Sequence, residues 1–85
     1  MDNLYQELDC LLSELTDSNY IELLERGREL IIASKKSGAE RQEVYDKLLP
    51  LYKHYLDADE HKADLIGDWL DMISGWCQKA YCIWD

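Results

Sequence analysis

Apolar residues recur along this chain at helical spacing, and no stretch alternates in the manner of a strand. Leu4, Leu8, Leu11, Leu12 and Leu15 form the first stripe and predict a helix from about Asn3 to Leu15. Asn3 is placed to cap it, with Gln6 at the third position of a capping box. Thr16-Asp17-Ser18-Asn19 is a run of turn and cap formers that ends this helix and starts the next. The second helix is expected from about Asn19 to Ser37, with Tyr20, Leu23, Leu24, Leu30 and Ile31 on its apolar face. Gly27 lies on that face. A glycine inside a helix costs about 1 kcal/mol against alanine, so close approach of another helix is the reason expected for it. Lys35 and Lys36 suit the negative end of the helix dipole, and Gly38 stands where a terminating glycine belongs.

A third helix is predicted to start near Ala39, carrying Val44, Tyr45, Leu48, Leu51, Tyr52, Tyr55 and Leu56. Pro50 falls inside it and removes a bond to the carbonyl of Asp46, which predicts a kink. Leu49 is a poor N-cap, so one kinked helix is preferred over two. The fourth and most strongly patterned segment is Asp57 to Asp85, which holds all three tryptophans. On a helical wheel Leu65, Ile66, Trp69, Leu70, Met72, Ile73, Trp76, Cys77, Ala80, Tyr81, Ile83 and Trp84 fill one half-circle. Asp64, Asp68, Asp71, Gly75, Gln78 and Cys82 fill the other. Asp57 and Glu60 have capping-box spacing, and Asp59 is the rival cap. Four amphipathic segments with short connectors predict an all-α fold: one domain over 1–85, a small antiparallel four-helix bundle with its third helix kinked at Pro50.

Charge adds a second pattern. The net charge is −9, and it is unevenly spread. Residues 1–25 hold seven acids and no base, 26–53 hold seven bases and four acids, and 54–85 hold seven acids and two bases. This is not the basic footprint of a nucleic-acid binder, and it disfavours an anionic membrane surface. No apolar run approaches the length of a membrane span. An acidic protein is drawn instead to basic proteins. The N-terminal stretch carries acids where a signal peptide would carry Lys or Arg, and three cysteines make a poor disulfide framework. Cytoplasmic location is the expectation, with Cys10 and Cys82 on polar faces and Cys77 towards the core.

Catalytic chemistry finds little to stand on. The serines lie in no nucleophile motif, and no glycine-rich phosphate loop is present. The carboxylates of the last helix are expected on a convex face, where water keeps them ordinary. His54 and His61 bracket Asp57, Asp59 and Glu60, yet neither a calcium loop nor a pair of facing Glu-x-x-His motifs is formed. The expectation is no enzyme, no metal and no cofactor.

Six acids between Asp57 and Asp71, relieved only by Lys62, exceed what solubility requires. Like charges at i, i+3 and i+4 each cost a helix a few tenths of a kcal/mol. Six tyrosines and three tryptophans occur without phenylalanine, a set suited to interfaces. The candidate partner-binding residues are therefore Asp57, Asp59, Glu60, Asp64, Asp68 and Asp71 for charge, and Tyr52, Tyr55, Trp69 and Trp76 for anchoring area. Glu7, Asp9 and Glu14 fit a plainer role as a solvated face.

The run DWLDMISGWCQKAYCIWD, with Gly-Trp-Cys followed by Ile-Trp, is similar to the tails of some bacterial toxin-immunity proteins of the colicin and contact-dependent types. It covers about a fifth of the chain. The resemblance implies a short, acidic, cytosolic protein that neutralises a toxin. The nuclease-colicin immunity proteins place a Tyr-Tyr pair beside acids; here Tyr52 and Tyr55 are separated, and no residue is carried over. The leading expectation is a stoichiometric inhibitor whose acidic helical face meets a basic partner, a cognate toxin acting on nucleic acid, with no direct contact to nucleic acid or membrane. It would be a monomer or weak dimer alone. The alternatives are a phage-type acidic mimic that blocks a host DNA-binding or defence protein, and a structural helical homo-oligomer or adaptor.

Overall fold

The computed structural model describes residues 2–75 and 83. They form four helices and no strand: α1 (Asp2–Ser13), α2 (Tyr20–Lys36), α3 (Arg41–Ala58) and α4 (Glu60–Ser74). The four-helix bundle expected from the apolar stripes is present. Chain neighbours run antiparallel. Across the bundle, Lys47 lies over the Tyr5 ring and Tyr55 meets Asp9, so α1 and α3 run side by side in the same direction. Tyr20 against His61 and Leu24 against Trp69 set α2 parallel to α4 in the same way. The fold is two helical hairpins laid face to face.

Local chemistry explains where the helices stop. Gly38, at φ 104°, closes α2 with a Schellman pair: Gly38 N–H donates to Lys35 O and Ala39 N–H to Ser34 O, both at 3.0 Å. Asn19 fastens the first connector, accepting from Thr16 N–H at 2.7 Å and donating to Glu14 O at 2.8 Å. α1 begins at Asp2, which puts Asn3 inside the helix and not at its cap. α3 runs unbroken through Pro50, so one helix stands where two were the rival. Asp59, and not Asp57, opens α4: its carboxylate accepts from His61 N–H and Lys62 N–H, while Asp57 belongs to the last turn of α3.

α4 is the hub, with Ala63, Leu65, Ile66, Trp69, Leu70, Met72 and Ile73 all buried. Against them pack Leu4, Leu8, Leu11 and Leu12 of α1, Leu23 and Ile31 of α2, and Val44 and Leu48 of α3. Leu56, expected on the apolar face of α3, is 51% exposed. One sequence expectation for this region is corrected. α4 does not continue to the end of the chain: Gly75, at φ 91°, ends it in the left-handed conformation. Ile83 comes back to the core, its N–H donating to Met72 O at 3.1 Å and its carbonyl accepting from Lys35 Nζ at 2.6 Å. The expectations for Trp76, Cys77, Gln78, Ala80, Tyr81, Cys82 and Trp84 lie outside the described residues.

Candidate functional site

The ten candidate partner-binding residues do not form one surface. Trp69 is fully buried and leaves the set. Its indole packs on Gly27, and its Nε1–H donates to Leu24 O at 3.1 Å. Gly27 is there for the close approach that its position suggested, and the occupant of the space is Trp69. A buried ring that spans α2 and α4 offers a partner no area. Trp76 lies outside the described residues.

The six acids separate by what the fold already does with them. Asp59 is the cap of α4, and Glu60 sits in its first turn, where the helix dipole favours an anion. These two have a folding reason. Asp57 is exposed on the last turn of α3, the end of a helix that disfavours negative charge. Asp68 accepts a hydrogen bond from the Tyr20 hydroxyl and so links α4 to α2. Asp64 and Asp71 are exposed, and among the described residues no side-chain hydrogen bond ties either one to a neighbouring helix.

Asp64, Asp68 and Asp71 do not stand on a convex face, as the wheel had implied. They border a shallow groove of about 360 Å³ between α3 and α4, which Tyr45, Leu49, Tyr52, Ala63, Gly67 and Leu70 also line. Tyr45, Leu49 and Tyr52 are spaced i, i+4 and i+7 and form its α3 wall. The groove has an electrostatic consequence. Partial burial raises the Asp71 carboxyl above the ordinary carboxylate range, and the charge of Asp68 raises it further. Asp71 is thus an anion held where its charged form is disfavoured.

Tyr52 belongs to this groove, while Tyr55 does not. The Tyr55 hydroxyl donates to Asp9 at 2.7 Å, with Lys62 Nζ 5.4 Å from the ring centroid and His54 edge-on at 5.0 Å. This also revises Asp9, which ties α1 to α3 and is more than a solvated charge. The hydrogen bond to Asp9 is the main reason the Tyr55 hydroxyl is pushed up to about 12. Tyr20 is likewise raised, by burial first and then by its bond to Asp68 and the charges of Asp68 and Asp64. Sequence reasoning missed Tyr20 as the partner of Asp68 and Gly67 as the floor of the groove. The Tyr45–Tyr52 spacing was available as a signal.

A wider groove, about 660 Å³, runs between α1 and α2 and is lined by Gln6, Glu7, Cys10, Leu11, Glu14, Arg26, Glu29 and Leu30. The free thiol of Cys10 is exposed there, as its polar position predicted. Among the described residues no group of three His, Cys, Asp or Glu side chains is arranged to hold a metal ion, and no helix is long and apolar enough to cross a membrane. The chain matches no protein-family model, no curated protein and no solved structure.

Proposed function

We propose that this protein is a stoichiometric inhibitor that binds a basic protein through the carboxylate-bordered groove of α3 and α4. The observation that carries the reading is the placement of Asp64 and Asp71. They repel Asp68 from one helix face, partial burial and Asp68 raise the Asp71 carboxyl, and among the described residues neither side chain caps a helix or joins two. Stability set aside at a surface groove is the usual mark of a binding site. A basic partner would offset that repulsion on docking. An enzyme that holds phosphates with Lys and Arg presents the matching surface, and a rigid row of carboxylates can occupy it and speed encounter. Toxin neutralisation in the manner of an immunity protein is the biological form this reading takes. A homo-oligomer sealed by Trp69 is less well supported, because that ring is already covered by α2 of its own chain.

The test is a side-by-side series on the partner recovered by affinity capture, with inhibition of its activity as readout. Asp64→Asn and Asp71→Asn should each weaken binding by about 2 kcal/mol or more, if the carboxylates meet basic groups at a desolvated centre. Both variants should fold as stably as the parent or slightly better. Glu7→Gln and Glu14→Gln, on α1, should act mainly on association rate. Unchanged affinity in both α4 variants would remove the groove from the binding surface.

A further inference from the structure

The three connectors of the bundle are built differently. The α1–α2 connector, Thr16-Asp17-Ser18-Asn19, is a run of turn formers fastened by the Asn19 side chain. The α3–α4 connector is set by the Asp59 cap. Between α2 and α3 the chain reads Ala-Ser-Lys-Lys-Ser-Gly-Ala-Glu-Arg-Gln-Glu from Ala33 to Glu43, and Gly38 is its one strong helix breaker. The turn rests on that residue. Gly38 takes φ 104°, Glu40 is extended with a side chain that caps nothing, and of residues 37–40 only Ala39 is buried. A Cβ at Gly38 would meet no atom within 4 Å, so a substitution there acts on backbone conformation alone.

The same turn divides the core. Trp69 packs on Gly27, the Tyr20 hydroxyl donates to Asp68, and the Tyr55 hydroxyl donates to Asp9 at 2.7 Å. Each of these contacts joins the α1–α2 hairpin to the α3–α4 hairpin. Residues 37–40 alone decide whether the two hairpins that meet belong to one chain or to two.

We propose that the fold has a second, exchanged state: a dimer of this chain in which Gly38 leaves its left-handed turn, α2 and α3 run on as one helix, and the α1–α2 hairpin of each copy packs on the α3–α4 hairpin of the other. The joined helix, from Tyr20 to Ala58, would be about 58 Å long. Exchange keeps the contacts between hairpins and makes them between copies. Trp69 stays covered, by α2 of the second copy. The connector gains helical hydrogen bonds and gives up its turn. Glycine enters positive φ without steric cost, so the monomer is the resting form and Gly38 sets the balance. The groove of α3 and α4 lies inside one hairpin, so the dimer carries two of them, and the exchange is independent of what binds there.

Size-exclusion chromatography with light scattering, and backbone chemical shifts over residues 37–40, test this on the whole chain. Gly38→Ala strains the left-handed turn and favours the continuous helix. Together these shift the balance about thirtyfold per chain, and so about a thousandfold in the dimerisation constant. The variant should elute as a dimer with helical shifts at residues 37–40, and it should return to monomer only through urea, because the core must open. Gly38→Asn, whose side chain tolerates the left-handed region, should stay monomeric. The parent, refolded from urea at high concentration, should give a minor dimer with the same helical shifts, and it decides the matter should Gly38→Ala not fold. A folded Gly38→Ala chain that stays monomeric, a dimer whose connector is not helical, or a parent that refolds without any dimer would each overturn the exchange.

Discussion

Gly27→Ala separates helix propensity from packing by the sign of its effect. On propensity alone, alanine in the interior of α2 should stabilise by about 1 kcal/mol. The structure predicts the opposite. A Cβ at residue 27 would lie 2.6 Å from Trp69 Nε1 and closer still to Cε2 and Cζ2 of the same ring. The ring cannot swing aside, because it is fully buried and its Nε1–H is held by Leu24 O at 3.1 Å. Overpacking of this kind costs about 1–3 kcal/mol, and loss of the indole hydrogen bond adds about 1 kcal/mol more. After the propensity gain, a net loss of about 1–3 kcal/mol remains, and each kcal/mol lowers Tm by about 4–8 °C in a domain this small. Thermal and urea melts followed by tryptophan fluorescence measure it. Gly67→Ala is the internal control, with the same propensity gain and no clash. A double change, Gly27→Ala with Trp69→Phe, should cost less than the sum of the single changes, since the smaller ring vacates the space that alanine needs. A Gly27→Ala variant as stable as the parent, or more so, would refute the α2–α4 packing described here.

Two further expectations follow from caps and tyrosines. Asp59→Ala should lower stability by about 1 kcal/mol and Asp57→Ala by much less, because only Asp59 accepts from the first-turn amides of α4; equal losses would return the cap to Asp57. The second concerns alkaline pH. Tyr20 and Tyr55 are raised above the ordinary tyrosine value of about 10. Their contribution is therefore complete below that value and is lost as pH rises through the folded values. Urea midpoints at pH 8 and at pH 11 should fall further for the parent than for a Tyr20→Phe, Tyr55→Phe double variant, and parallel falls would show that these hydroxyls are not held by Asp68 and Asp9.

The fold was legible because α1, α2 and the front of α4 follow one rule: bury the stripe, stop at the glycine. Leu4, Leu8, Leu11 and Leu12 are all buried, and Gly38 closes α2 where its position required. The helical wheel misled at Gly75 itself. The apolar spacing continues on the wheel, but a wheel has no means of registering a left-handed residue, and Gly75 takes φ 91° there. Pro50 misled less. Removing one donor in an eighteen-residue helix leaves the rest of the ladder in place, and the helix continues. The displaced cap of α4 is a contest between aspartates two residues apart. Asp57 keeps a place in the last turn of α3, whose closing bond, Asp59 N–H to Tyr55 O at 2.7 Å, leaves the Asp59 side chain facing the new helix.

The site was legible only as a composition, since a wheel assigns each residue a face and not what another helix brings to it. Asp64, Asp68 and Asp71 look equivalent in sequence. Forty-eight residues upstream, Tyr20 supplies a hydroxyl to Asp68 alone and gives it a structural duty that its neighbours lack. Trp69 looked like an anchor for the converse reason: its polar tip suggested a wet edge, and Leu24 supplies the carbonyl that lets it be buried whole. Once tertiary partners are assigned, Asp64, Asp71, Gly67 and the Tyr45–Tyr52 wall share one groove, while the exposed Ile21, Leu56 and Asp57 lie outside it. Each feature of the groove is locally unfavourable or idle in the isolated chain. On the reading proposed above, the repulsion of Asp64 and Asp71 with Asp68 is relieved when a basic surface docks on the groove. A solubility face has no use for Gly67, and a glycine kept for helix packing has no use for the acids beside it. In that respect the groove differs from the α1–α2 face, where Glu7 and Glu14 line a wider cleft and no glycine lies between them.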